Sequence, residues 1–175
     1  MGVLVEGLAQ VLPDPDAAPQ QQLQHALEKL YRKEGGICRQ MVLDRQSGSR
    51  AFVPRVDEQG RSTIGLDLSD RPYLEKVREA PYPVITTFFM GQIGSPGPRL
   101  AVVAPIHEQS HYLGAVLSVF KLEELQSLFR TLAGERPISI TLLDPRRRVV
   151  ISTDTALKPM TSFRLPEGGS LKPLS

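Results

Sequence analysis

Arg71 is the residue whose type and neighbours best suit the binding of a small molecule. A guanidinium group offers five N–H donors in a fixed fork and can hold a carboxylate through two parallel hydrogen bonds. Ser69 or Asp70 can cap a short helix that has Pro72 in its first turn. Arg71 would then add to the positive end of the helix dipole and attract an anion. The alternative is that Arg71 pairs with Asp67 or Asp70 and only braces the loop.

Residues 107–111 read HEQSH and form a second group with chemical potential. They match the His-Glu-x-x-His pattern of zinc peptidases, which needs both histidines on one helical face and the glutamate as general base. The flanking segments favour strands instead, since Pro105 precedes the motif and residues 112–117 are β-like, so a hairpin connection is predicted. The third histidine of the sequence, His25, lies far upstream. A zinc hydrolase is therefore kept only as an alternative, and no metal or cofactor is expected.

The composition is that of one folded domain: 175 residues, 41% apolar and 23% charged. The net charge is +2 and basic residues cluster only at 146–148, so nucleic-acid binding is not expected. Cys38 is the single cysteine and cannot form an internal disulfide. No run approaches the length of a membrane span, about 18 apolar residues, and residues 1–12 make a poor signal peptide. Other catalytic motifs, such as Gly-x-Ser-x-Gly and Cys-x-x-Cys, are missing from the sequence.

Hydrophobic periodicity predicts helices on both sides of a run of strands. Apolar residues recur at helical spacing between Leu23 and Tyr31, and Gly35-Gly36 would end that helix. Three later strands with short connections predict an antiparallel meander. The predicted strands are 37–43, 50–53, 84–90, 100–106 and 112–120, and further helices are predicted at 3–12, around Pro72 and over 122–132.

Residues 138–143 and 149–152 repeat the pattern of the first predicted hairpin. Both copies run from an apolar strand into a turn led by an aspartate, and both follow a helix. The repeat predicts the start of a second, truncated module of the same kind. The predicted division is an N-terminal helical segment at 1–36, a ligand-binding module at 37–133 and the second module at 134–175.

The order of these elements is PAS-like, and the segment Gly65–Tyr73 (GLDLSDRPY) resembles the signature of Cache sensor domains. Residues 83–91, 104–106 and 114–125 are similar to later parts of the same family, so the resemblance covers about residues 20–155. It implies an α+β fold, with a PAS-like antiparallel sheet flanked by helices, a long N-terminal helix and the start of a second similar module.

Cache domains are the extracytoplasmic inputs of histidine kinases, chemoreceptors and cyclic-di-nucleotide enzymes. The resemblance therefore implies a non-enzymatic sensor module of a membrane receptor, located outside the cytoplasm (periplasmic), that binds a small ligand. Its output domain and membrane anchors would lie outside this segment, and a homodimer is compatible with the family. The alternative is a cytoplasmic PAS or GAF-like interaction module without a ligand.

The resemblance also implies a ligand site. Arg71 would hold a carboxylate, while Thr86 and Phe89 occupy strand positions that often supply a polar contact and an aromatic wall. In a regular strand these two residues point to opposite faces, so at least one is expected outside the pocket. Tyr73 can form a pocket wall or pack in the core beneath the loop.

One departure from the family pattern bears on the ligand. Amino-acid-binding relatives follow the arginine with a Trp-Tyr pair and carry an acidic residue near the end of the last strand, where it holds the ligand's amine. Here the corresponding residues are Tyr73-Leu74 and Val119. An organic acid is therefore predicted in preference to an amino acid.

Overall fold

The computed structural model describes residues 2–33, 38–91, 93–94, 97–134, 138–143, 147–159 and 161–164. The chain divides into two compact units, Met1–Leu122 and Glu123–Ser175. The sequence assigns the helix predicted over 122–132 to the first module, whereas the division falls after Leu122, at the start of that helix. That the second unit begins another PAS-like module stays a prediction.

Most of the helices and strands predicted from the sequence are present, with changed boundaries. The predicted helix stop at Gly35-Gly36 and the predicted turn at 144–146 lie outside the described residues. In chain order the elements are α1 (Gly2–Val11), α2 (Gln20–Lys33), β1 (Arg39–Leu43), β2 (Ser49–Val53), α3 (Pro72–Glu79), β3 (Val84–Ile85), β4 (Phe89–Met90), β5 (Pro98–Glu108), β6 (His111–Lys121), α4 (Leu122–Ala133), β7 (Thr141–Leu143) and β8 (Val149–Ser152).

The first unit is built on one antiparallel sheet with the strand order β2-β1-β6-β5-β3, and β4 pairs with another part of β5. β1, the first strand of this unit, therefore lies beside β6, its last strand. The sheet is flanked by helices, so the predicted α+β, PAS-like fold class is confirmed.

Both faces of the sheet are buried, which is why β5 and β6 are apolar over nearly their whole length. α1 and α2 cover one face, and α3 with the loop before it covers the other. The first core cluster includes Val5, Leu23, Leu27, Val42 and Val116. The second includes Met41, Leu43, Phe52, Leu74 and Leu117.

The N-terminal segment forms two helices of 10 and 14 residues, so the long N-terminal helix implied by the resemblance is not present in the described residues. The Pro-rich segment 12–19 separates them, because proline cannot donate the helical hydrogen bond. Leu23, Leu27 and Leu30 of α2 are buried, as the periodicity predicts.

Gln24 of α2 is a buried polar residue that the periodicity does not predict. Its side-chain amide donates to the Phe52 carbonyl oxygen at 2.9 Å and its oxygen accepts the Phe52 N–H at 3.1 Å. β2 is an edge strand, and its outward N–H and C=O groups need partners when they are buried. Gln24 thus continues the hydrogen bonding of the sheet onto a helix.

β5 and β6 form a hairpin whose turn is Gln109-Ser110. Both turn residues have positive φ, 46° and 73°, as in the two-residue turns that match the twist of the strands. Further along β6, a Cβ atom at Gly114 would lie 2.2 Å from the Leu43 carbonyl oxygen. Glycine at this position therefore permits the close approach of β6 to β1.

The second unit contains most of α4 and a hairpin of β7 and β8. The Thr141 and Ser152 hydroxyl groups lie 2.8 Å apart across this hairpin, and the Ile140 N–H donates to Thr153 Oγ1 at 2.8 Å. Across the described residues, no helix combines the length and the apolar character needed to cross a membrane.

Candidate functional site

The loop before α3 is fixed by the residues of the predicted signature. Asp67 Oδ1 accepts the Ser69 N–H at 2.9 Å, and this backbone hydrogen bond lowers the pKa of Asp67. The Leu68 N–H donates to the Ser47 carbonyl oxygen at 3.1 Å, and the Leu68 side chain is buried in the core. Leu68 fixes the loop against the sheet, and Arg71, three residues later, lines the same cavity as Leu68.

α3 begins at Pro72, and Arg71 is its N-cap residue with an extended backbone. The prediction that Ser69 or Asp70 caps this helix is wrong, since no side chain makes the cap hydrogen bond. The physical reason is a turn closed by the Arg71 N–H and the Leu68 carbonyl oxygen at 3.1 Å, which leaves Ser69 and Asp70 exposed ahead of the cap. Pro72 has no N–H, so the first turn also has one donor fewer to satisfy.

The Arg71 side chain is 11% exposed, although the residue lies at a loop. Its Nε atom lies 3.5 Å from Asp70 Oδ1, and that carboxylate is 62% exposed. An ion pair of this length at the surface contributes little. The Arg71 guanidinium also lies over the Phe89 ring, 5.7 Å from its centroid. A buried guanidinium with five donors, held mainly by a ring face and one distant carboxylate, is well placed to accept an anionic partner.

Arg71 lines a cavity between the sheet and the loop that precedes α3. The space inside it that can hold water measures about 30 Å³, enough for about two or three water molecules (about 10–15 Å³ each). The wider cleft, counting space open to solvent, measures about 410 Å³. None of the described lining residues is acidic. They are Arg39, Met41, Phe52, Leu68, Arg71, Tyr73, Phe89, Gly91, Ile93, Arg99 and Val119.

Arg39, from β1, is a lining residue that the sequence analysis did not single out. Its Nη1 donates to the Ile93 carbonyl oxygen at 2.6 Å, and its Nη2 pairs with Glu58. Lys121 Nζ donates to the same carboxylate at 2.9 Å. The Lys121 hydrogen bond, with a further contribution from Arg39, lowers the pKa of Glu58 to about 2 against the effect of burial. A Cβ atom at Gly94, where φ is +75°, would overlap Glu58, so only glycine fits against this ion pair.

Arg99 is the third arginine of the cavity and is 3% exposed. It lies on β5, directly opposite Phe89 on β4 and Lys121 on β6. Arg39 lies opposite Val119, two residues before Lys121 on the same strand. Residues two apart on a strand, and residues paired across strands, share one face of the sheet. The register therefore brings Arg39 and Arg99 to the same face although 60 positions separate them in the sequence numbering.

Tyr73 and Phe89 form an aromatic wall, with ring centroids 5.3 Å apart. Both line the cavity beside Arg71. Burial raises the pKa of Tyr73 to about 12, although the nearby Arg71 charge acts in the opposite direction. The Tyr73 hydroxyl group is therefore protonated at neutral pH and can donate a hydrogen bond.

Thr86 is not among the cavity-lining residues, so the structure does not support its predicted role as a polar contact. Its N–H donates to the Ala101 carbonyl oxygen and its Oγ1 accepts the Ala101 N–H, both at 2.9 Å. The hydroxyl group thus replaces a backbone acceptor where the predicted strand 84–90 breaks into β3 and β4. The break explains why Phe89 reaches the cavity and Thr86 does not.

The HEQSH segment does not have the geometry of a zinc peptidase. His107 and Glu108 end β5, His111 begins β6, and Glu108 pairs with His111 across the hairpin. The hairpin places the histidines on two strands, so they cannot lie one turn apart on a helix. Among the residues that the structure describes, no three His, Cys, Asp or Glu side chains are grouped to hold a metal ion.

Comparison with known proteins gives matches in structure only. No protein-family model matches the sequence, and no curated protein matches it. The ligand-binding domain of the Pseudomonas fluorescens chemoreceptor CtaA, solved with L-valine, superimposes with a TM-score of 0.69 at 14% identity. The match covers 91% of this chain and 68% of that one. The chain has a PAS-like, Cache-type fold.

Two further structures share the Cache-type fold. The ligand-binding domain of the Pseudomonas aeruginosa amino acid chemoreceptor PctB, solved with L-Arg, has a TM-score of 0.69 at 17% identity. An extracellular ligand binding receptor from Desulfohalobium retbaense has a TM-score of 0.64 at 18% identity. This chain covers 59% and 32% of their lengths, and they cover 91% and 90% of this chain. All three are described as ligand-binding domains or as a ligand binding receptor.

Proposed function

We propose that the first unit senses a small carboxylate for a transmembrane signalling receptor and is located outside the cytoplasm. The observation that carries the proposal is the arginine-lined cavity between the sheet and the loop before α3 in a Cache-type fold. The receptor's output, whether histidine kinase, chemoreceptor or cyclic-di-nucleotide enzyme, would belong to other parts of the protein. The extracellular and chemoreceptor descriptions of the structural neighbours support this location.

The ligand class is proposed from the charges of the site. Two of the solved neighbours hold amino acids, so an amino acid is the rival class. An amino acid also carries an ammonium group, which needs a carboxylate or several carbonyl groups once it is buried. Val119 lines the cavity at the place where the resemblance puts an acidic residue, and none of the described lining residues is acidic. These features favour an organic acid.

Ligand entry would change the packing around the cavity. The cavity holds only about 30 Å³ of space for water and opens into a wider cleft, so burying an organic acid in it would move side chains that line it. Arg71 and Tyr73 belong to the start of α3, while Arg39 and Arg99 belong to the sheet. A ligand bound to both groups would shift α3 relative to the sheet, and this shift is the proposed signal.

A thermal-shift screen of the purified chain tests the proposal. The panel holds mono- and dicarboxylic acids, amino acids, amines and zinc, the last with a chelator control. At about 100 times its dissociation constant, a ligand that binds only the folded state stabilises it by about 2.7 kcal/mol, or about 5 to 10 °C. We expect such a shift with a carboxylate, and its loss in Arg71→Gln, because the glutamine cannot form the bidentate ion pair.

The matched control is Arg45→Gln, which removes an arginine whose side chain is 52% exposed and lies outside the cavity. This variant must keep the wild-type response. A flat response to every organic ligand would contradict the proposal and favour the ligand-free PAS or GAF-like module. Stabilisation that persists unchanged in Arg71→Gln would place the ligand elsewhere.

A further inference from the structure

We infer that the ligand of this cavity is a monocarboxylate with an apolar body, an inference that rests on the carboxylate-sensing function proposed above. The described lining residues include three arginines and a larger set of apolar and aromatic side chains. The contacts that the arginines already make indicate how many carboxylates the site can hold. The arrangement of the apolar side chains indicates what the rest of the ligand is.

Two of the three arginines already serve acceptors of the protein. Arg39 Nη1 donates to the Ile93 carbonyl oxygen at 2.6 Å, and Arg39 Nη2 pairs with Glu58. Arg99 is 3% exposed, its Nη1 lies 3.4 Å from the Pro98 carbonyl oxygen, and it has further partners in the chain. Both side chains add positive charge to the site. Because their N–H groups are engaged, we assign neither of them a carboxylate of its own.

Arg71 is the lining arginine with the weakest contacts among the described residues. Its side chain is 11% exposed, its Nε lies 3.5 Å from the exposed Asp70 carboxylate, and its guanidinium lies over the Phe89 ring. A ring face leaves the N–H donors in the plane of the guanidinium available. One bidentate arginine satisfies both oxygens of a carboxylate, so the site suits a single carboxylate at Arg71.

The sheet provides an apolar floor to the cavity, formed by Phe52, Met41 and Val119. Phe52 on β2 lies directly opposite Met41 on β1, and Val119 on β6 lies opposite Arg39, two residues before Met41. Paired residues and residues two apart on a strand share one face of a sheet, so the three side chains are neighbours. All three are buried and line the cavity.

Apolar side chains from other elements line the same cavity. Leu68 comes from the loop before α3, Ile93 follows β4, and the Tyr73 and Phe89 rings lie beside Arg71. An alkyl group placed against these surfaces is removed from water, which favours its binding. A second carboxylate against the floor would lose its hydration to apolar neighbours, and an ammonium group would find no acidic side chain among the described lining residues.

Isothermal titration calorimetry of the wild-type chain with 4-methylpentanoate and three matched compounds tests the inference. Acetate keeps the carboxylate but lacks the branched alkyl body. In 2-methylglutarate a second carboxylate replaces one terminal methyl group, and L-leucine adds an α-ammonium group. We expect 4-methylpentanoate to bind more tightly than each of the other three by about 10-fold or more, because it alone offers Arg71 a carboxylate and the floor an uncharged apolar group.

The wild-type titrations separate the inference from the proposed function. Equal or tighter binding of acetate, 2-methylglutarate or L-leucine would overturn the apolar monocarboxylate but leave a working sensor site. Binding of none of the four compounds would also overturn it. Together with a flat thermal-shift screen, that result would overturn the proposed function itself.

Variants assign the apolar body of the ligand to the cavity. Val119→Thr keeps the shape of a floor side chain and adds a hydroxyl group, and Ile93→Asn replaces a half-buried lining side chain with a polar one. Each should weaken 4-methylpentanoate binding by about 5-fold or more and leave acetate affinity within about 2-fold. Arg71→Gln should weaken the binding of both acids.

The matched control for Ile93→Asn is Ile85→Asn. Ile85 is 69% exposed and is not among the described lining residues, so this variant should bind both acids as the wild type does. An equal loss for both acids in folded Val119→Thr and Ile93→Asn would contradict a separate apolar subsite. Unchanged binding of 4-methylpentanoate in both variants would also contradict it.

Discussion

At the scale of single residues, Glu58 is the carboxylate that binds the basic side chains of Arg39 and Lys121 beside the cavity. It accepts hydrogen bonds from Lys121 on β6 and from Arg39 on β1, and Gly94 leaves room for the ion pair. With a pKa of about 2, Glu58 is ionised throughout the physiological range. The carboxylate therefore holds the Arg39 guanidinium at the cavity, where it can contribute to anion binding.

Replacing Glu58 with glutamine should flatten the acid end of the stability profile. The pKa of Glu58 is lower in the folded chain (about 2) than its ordinary value of 4.5, so its contribution is complete above 4.5 and is lost as the pH falls towards 2. Urea unfolding between pH 6 and pH 2 should show a smaller loss of stability in Glu58→Gln than in the wild type. Glu79→Gln, at an exposed position on α3, is the control. Parallel profiles for wild type and Glu58→Gln would contradict the assigned role.

The site residues differ in how far the sequence predicts them. Arg71 and Tyr73 belong to a local motif, and the structure places both at the cavity together with Phe89. Arg39 and Arg99 could not be predicted in the same way, because only the pairing of β1 and β5 with β6 brings them together. Of Thr86 and Phe89, the sequence could not say which one lies outside the cavity; it is Thr86, whose hydroxyl group accepts a backbone N–H where the strand breaks.

At the scale of elements, α2 is attached to the sheet by polar as well as apolar contacts. Leu23 and Leu27 pack into the core, while Gln24 satisfies both backbone groups of Phe52 on the edge strand β2. An apolar side chain of similar size could fill the space but could not satisfy these groups. Periodicity identifies the buried leucines of this helix, but it does not predict a buried glutamine among them.

Gln24→Ala should therefore destabilise the first unit by about 2 to 3 kcal/mol, since it leaves a buried N–H and C=O without partners. Chemical denaturation measured by circular dichroism checks this value. Gln22→Ala, at an exposed position of the same helix, should change stability by less than about 0.5 kcal/mol. If the two variants lie within that margin of each other, the hydrogen bonds of Gln24 do not stabilise the fold.

Element types were predictable where apolar residues recur at helical spacing, as in α2, or where a short β-prone apolar run is bounded by turn residues, as in β5 and β6. The HEQSH segment shows how flanking strands outweigh a local motif, because β-prone segments on both sides force a hairpin. The single strand predicted over 84–90 is instead two short strands, β3 and β4. Its sequence is continuously β-prone, yet regular pairing with β5 is limited to residues 84–85 and 89–90, because the Thr86 side chain takes the place of a backbone acceptor between them.

At the scale of the whole molecule, the fold separates the face of the sheet that carries the cavity from the face that carries the N-terminal helices. The cavity lies on the α3 side, and α1 and α2 pack on the other side. A ligand that moves α3 would act on the same strands that support α1 and α2. The sequence predicts a sheet flanked by helices. Which helices cover each face, and the volume of the cavity, depend on how the side chains pack and could not be predicted.

The most direct test of the account is a crystal structure of the chain with the tightest-binding carboxylate from the screen. We predict that one carboxylate lies within about 2.7 to 2.9 Å of the Arg71 guanidinium nitrogens, the spacing of a charge-assisted hydrogen bond. The cavity should be enlarged, with α3 displaced relative to β5. A ligand bound away from Arg71, with the cavity volume unchanged at about 30 Å³, would contradict the claim that this cavity is the sensor site.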